Sequence, residues 1–192
     1  MLRLFVAVDL PAPLKDEVAH LMNAELHQVR WVRPPQLHIT IRFLGDTSED
    51  ELPGLKARLA EVSATGFVLR LQGLGVFPSR PAGEPRAPKV LWLGVEPARA
   101  LVALEHAVSS ALSGGAAGVG MQPRPREYWP HLTLARLIGP PDHTLADFLT
   151  QNSGYGSLPW QPTSFHLYRS VLDKAGAIHT CLASYPFVAG PA

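Results

Sequence analysis

Leu37-His38-Ile39-Thr40-Ile41-Arg42-Phe43-Leu44-Gly45 is the stretch on which the fold reading turns. Its polar and apolar side chains alternate, the period of a strand with one face in a core. Alternation puts His38, Thr40 and Arg42 on one face and Ile39, Ile41 and Phe43 on the other. About half a chain length later, His131-Leu132-Thr133-Leu134 repeats the pattern, again just after proline. With eight His in the chain, such a tetrad is expected by chance ~0.07 times, so two of them point to an internal duplication and two similar lobes.

Outward from these strands, helices and strands interleave. Residues 2–9 form an apolar run that reads as a strand buried on both faces. Residues 11–26 and 97–112 carry apolar side chains at helical spacing, the first run opening on proline. Ser48 and Glu51 make a capping-box arrangement ahead of Leu52, Leu55, Leu59 and Val62, although Pro53 falls in the first turns. Strands are expected over 67–76, 90–95, 131–137, 165–172 and 179–188, with a short helix over 144–149. Hairpin-like neighbours are frequent, so the class is α+β with a mainly antiparallel sheet, and no linker separates independent domains; residues 1–192 read as one unit.

Composition narrows the function. Apolar residues make up 46% and charged residues 17% of the 192, which excludes a disordered chain. A net charge of +1 excludes a polybasic nucleic-acid coat. Cys181 alone supplies neither a disulfide framework nor a zinc knuckle, and it reads as a small buried residue. No apolar run is long enough to span a membrane and the start lacks a signal-peptide pattern, so a soluble cytoplasmic protein is expected.

Two imidazoles facing one another across a cleft can serve as acid and base near neutral pH, and two threonine hydroxyls can donate to a tetrahedral anion between them. That set suits phosphoryl transfer without a metal. Arg42, on the histidine face by parity, is a candidate phosphate ligand. Trp31, Tyr128 and Trp129 flank the motifs closely enough to stack a base, or to pack the cleft rim. Arg80, Arg86, Lys89, Arg124 and Arg126 lie in loops that could grip an RNA backbone. The glycine tract of residues 114–120 lacks the Lys-Ser/Thr ending of a phosphate loop and reads as a linker. The remaining histidines form no metal-binding pattern, and surface positions suffice for most of them.

The two tetrads together, with Arg3-Leu4-Phe5-Val6-Ala7, Leu74-Gly75-Val76-Phe77-Pro78 and Phe165-His166-Leu167-Tyr168-Arg169-Ser170, resemble the 2H phosphoesterases. The likeness is to the bacterial and archaeal RNA 2′,3′-cyclic phosphodiesterases, first described as 2′-5′ RNA ligases. The resemblance implies a bilobal fold with a central cleft, helices outside and no required cofactor. It implies His38 as proton donor, His131 as proton acceptor, Thr40 and Thr133 on the non-bridging oxygens, and Arg136 as an electrostatic helper. Strict alternation puts Arg136 opposite His131, so that role needs a bulge or a strand end. The implied substrate is RNA carrying a 2′,3′-cyclic phosphate or a 2′-5′ linkage, handled by a monomer without an obligate protein partner. Alternatives are a cyclic phosphodiesterase of small nucleotides, such as ADP-ribose cyclic phosphate or 2′-5′ oligoadenylate, and a non-catalytic RNA end-binding module.

Overall fold

The computed structural model describes residues 1–22, 24–78, 88–113, 128–173 and 176–189. In chain order they form β1 (Leu2–Asp9), α1 (Ala12–Leu21), β2 (Val29–Trp31), a 3₁₀ turn (Pro34–Gln36), β3 (His38–Thr47), α2 (Leu52–Ala60), β4 (Arg70–Pro78), β5 (Pro88–Glu96), α3 (Ala98–Ser113), β6 (His131–Leu137), α4 (His143–Gln151), β7 (Ser164–Asp173) and β8 (Gly176–Pro186). The class is α+β, as the interleaved periods imply.

All registered strand pairs are antiparallel, in the order β4-β5-β6-β3-β1-β7-β8, with β2 added alongside β6. The order explains the sequence of β1. It lies between β3 and β7, and Leu4 to Val8 are all buried, so polar alternation has no place there.

Two blocks of strands, β4-β5-β6 and β3-β1-β7-β8, meet between β6 and β3. There the register holds at one residue pair, Ile39 opposite Leu132. The two expected lobes are therefore halves of one sheet, joined at a seam by the apolar backs of the two tetrads. Both side chains are fully buried, and burying each contributes roughly 1.5–3 kcal/mol. Leu14 and Val18 of α1, Leu55 and Leu59 of α2, Leu101, Leu104 and Val108 of α3, and Leu145 and Phe148 of α4 pack into the same core.

Several boundaries differ from the periodicity. α1 ends at Leu21, not residue 26; Leu26 is apolar because it packs against the core from the following loop. α2 starts at Leu52 because Pro53 has no N–H to begin the ladder. Ser48 and Glu51 do bond, Ser48 N–H donating to Glu51 Oε2 at 2.9 Å, but they shape the turn before the helix. The three-residue β2 is too short to show a period. Cys181, expected inside, is exposed on β8. No helix among the described residues is long and apolar enough to cross a membrane.

Candidate active site

Residues 38–44 and 131–137 have the same sequence of environments. In both, positions one and three are half-buried, two, four, five and seven are buried, and six is exposed. Alternation holds for four residues and then slips. The cause is a bulge at the same place in each repeat: the register of β1 with β3 skips Ile41, and that of β5 with β6 skips Leu134. An extra residue inverts every side chain after it.

The inversion decides the fate of both arginines. Arg42 turns into the core, where it is 5% exposed and its Nη1 donates to Glu105 Oε1 at 3.0 Å and Ser109 Oγ at 2.8 Å. It is thus corrected from a cleft residue to the buried tie between β3 and α3. Arg136 turns the other way, exposed on the face of His131 and Thr133, which meets the condition its role required. The residue matching Arg136 in the first repeat is Phe43, now on the face of His38.

The histidines are held alike. His38 Nδ1 lies 2.7 Å from the Gln36 carbonyl, and His131 Nδ1 lies 2.7 Å from that of Trp129. A carbonyl only accepts, so each Nδ1 carries hydrogen and each Nε2 is left for chemistry. His38 Nε2 is 3.1 Å from Thr40 Oγ1. The Ile39–Leu132 pair brings the two motif strands side by side.

Each imidazole also rests on a phenylalanine, for His38 one from the adjacent strand β1 and for His131 one from β4, on the far side of β5. Phe5 lies 4.9 Å from the His38 ring, and Phe77 meets the His131 ring edge-on at 4.8 Å. Trp92 packs against Phe77 at 5.1 Å. Gly75 leaves room for it, since a Cβ there would lie 2.2 Å from the indole. Burial, the main cause, lowers the His38 pKa to about 4, against the favourable bond to the Gln36 carbonyl. Burial also lowers that of His131, with the Trp129 carbonyl opposing.

Beside His38 opens a cavity of about 310 Å³, walled by Phe5, Asp9, Arg33, Gln36, Tyr168 and His179 among others. Tyr168 Oη donates to Asp9 Oδ2 at 2.6 Å, and the His179 ring stands perpendicular to that of His38 at 5.2 Å. Neither Tyr168 nor His179 was singled out from sequence. Both reach the site through strand order, and only their place on alternating terminal strands could have hinted at it.

The flanking aromatics divide. Trp31 packs edge-on against Phe148 of α4 at 6.1 Å, among the residues bordering the core. Tyr128 donates its hydroxyl to the Thr40 carbonyl at 2.9 Å, lashing the segment before His131 to β3. Burial, with Glu105 nearby, raises its pKa. Trp129 is 55% exposed. Lys89 is exposed at the start of β5. Arg80, Arg86, Arg124, Arg126 and the glycine tract lie outside the described residues. His20, His27, His106 and His143 are exposed, and the described residues contain no cluster of three or more His, Cys, Asp or Glu suited to a metal.

Residues 8–87 match the family described as LigT-like phosphoesterase. An RNA 2′,3′-cyclic phosphodiesterase from Archaeoglobus fulgidus is 30% identical over 93% of this chain and 96% of its own. The protein of that name from Methanothermobacter thermautotrophicus is 33% identical over 93% and 95%. This chain belongs to the LigT-like phosphoesterase family. Solved structures share the fold: a Thermus thermophilus protein superposes with a TM-score of 0.75 at 29% identity, covering 96% of this chain and 97% of that one. Escherichia coli LigT complexed with 3′-AMP does so at 0.72 and 26%, covering 97% and 98%.

Proposed function

We propose that this phosphoesterase hydrolyses 2′,3′-cyclic phosphate ends of RNA to 2′-phosphomonoesters with two histidines as acid and base. The observation that carries the reading is the matched pair of imidazoles, each with Nδ1 spent on a backbone carbonyl and Nε2 turned to chemistry. The activity is the one after which the archaeal relatives are named.

In the proposed reaction, His131 Nε2 takes a proton from water as its oxygen attacks phosphorus in line with the P–O3′ bond. That bond breaks, and protonated His38 delivers its Nε2 proton to O3′. Thr40 and Thr133 donate to the non-bridging oxygens, and Arg136 offsets the charge gathering there. Neutral His38 is the stable form in the free protein, so the anionic phosphate itself draws a proton onto it. The overall reaction adds one water and leaves the product with the phosphate on O2′. With a 5′-hydroxyl in place of water as the nucleophile, the same forward step breaks P–O3′ and joins a 2′-5′ linkage. The chain acts as a cytoplasmic monomer in this reading.

The test is incubation with an oligoribonucleotide ending in a 2′,3′-cyclic phosphate, with the product's phosphate located by NMR. A 2′-phosphate is expected; a 3′-phosphate or an unreacted end contradicts the reading.

A further inference from the structure

In the proposed reaction water attacks from the His131 side and O3′ leaves toward His38. The ribose that carries O3′ then lies on the His38 side, where the cavity of about 310 Å³ opens. That volume suits one nucleoside. The ribose meets the reacting phosphate through O2′ and O3′, and its O5′ points away from that edge. In RNA the next phosphodiester begins at O5′, so it falls beyond the nucleoside, at the rim of the cavity.

Two cations from different elements converge on that rim. Arg33, at the start of the 3₁₀ turn before β3, is exposed and walls the cavity. Lys15 of α1 reaches the same segment, its Nζ donating to the Pro35 carbonyl at 3.4 Å. That leaves two of its three hydrogens for another acceptor. Its charge is felt inside the site: burial is the main cause of the lowered pKa values of His38 and His166, and Lys15 adds to both. Among the described residues neither Arg33 nor Lys15 has a carboxylate within ion-pair distance. Asp9, the carboxylate among the described walls, takes the Tyr168 hydroxyl. Cations beside a nucleotide site position a strand by its backbone, and each bond they give a phosphate oxygen is charge-assisted.

We propose that Arg33 and Lys15 hold the phosphodiester on the 5′ side of the terminal nucleoside, so that the site selects its substrate by a second phosphate, remote from the one that reacts. The proposal rests on the phosphodiesterase reading above.

The test compares kcat/KM on two adenosine 2′,3′-cyclic phosphates without a second base. One bears a 5′-methyl phosphate, which carries the single charge of a phosphodiester, and the other a neutral 5′-methoxy group. The wild type should favour the charged substrate by at least about fivefold, and added salt should shrink that preference. Arg33→Gln combined with Lys15→Gln should abolish it, and Arg33→Lys should retain part of it. No preference in the wild type overturns the proposal, as does an undiminished one in the double glutamine variant. Equal losses on both substrates in that variant assign the pair a merely structural role and overturn it too. Calorimetric binding of the two products, adenosine 2′-phosphates with the same 5′ groups, gives a second readout. If the wild type hydrolyses neither substrate, the phosphodiesterase reading fails. The phosphate seat is then judged on binding. At least about fivefold tighter binding of the charged product, lost in the double variant, upholds it, and equal or absent binding rejects it.

Discussion

Arg42 and Arg136 show how much one residue of register matters. Removing the Arg42 side chain takes from Glu105, 1% exposed, the guanidinium 3.0 Å from its carboxylate; a loss of about 3–5 kcal/mol is expected. Urea unfolding of Arg42→Ala checks this, and unchanged stability would contradict the tie to α3. Arg136→Ala should unfold within about 0.5 kcal/mol of the wild type yet turn over roughly 10–150-fold more slowly, the scale of one charge-assisted hydrogen bond. The histidines make a claim about pH. Both have pKa values below the usual 6.5 in the free protein, His38 at about 4. The reactive form needs one of them protonated and the other neutral, so kcat/KM should peak on the acid side of 6.5 and fall as the pair loses its proton. Bound phosphate raises both affinities, so the maximum in kcat should lie at higher pH. A kcat/KM maximum above about pH 7.5 would reverse the sign and refute the burial argument.

At the scale of elements, the paired bulges separate what the sequence discloses from what it conceals. Alternation over His38–Thr40 and His131–Thr133 identifies the polar face because each residue there has one partner across the strand. It misplaces Arg42 and Phe43 because a bulge gives two residues to one partner, and no local period marks that. The carbonyls of Gln36 and Trp129 are backbone groups and leave no side-chain signal at all. Phe5 and Phe77 are legible as strand residues, but not as supports of the imidazoles, because that depends on which strands become neighbours. Gly94 is another such case. It pairs with His131, and a Cβ on it would lie 2.5 Å from the Gln72 backbone oxygen. Gly94→Ala must push β4 from β5, with an expected cost of about 1–3 kcal/mol and lower turnover through the displaced His131. Thermal unfolding and activity at one temperature would show whether the two losses travel together.

For the whole molecule, the duplication read from two short motifs becomes two half-sheets that meet at Ile39 and Leu132, and the site exists only because they meet. Neither half holds both motif histidines. The repeat was legible because the same tetrad pattern stands twice in the sequence; the seam was not, since one residue pair carries the register there. Leu132→Ala should therefore cost about 2–5 kcal/mol while leaving the cleft-facing side chains unchanged, and unaltered stability would contradict a seam that holds the halves together. The central claim is that the two histidines share one reaction. It is tested most directly by turnover per folded molecule of His38→Ala and His131→Ala on an RNA ending in a 2′,3′-cyclic phosphate. Each variant is expected to lose about 10²–10⁴-fold, and near-wild-type turnover in either would contradict the two-histidine mechanism.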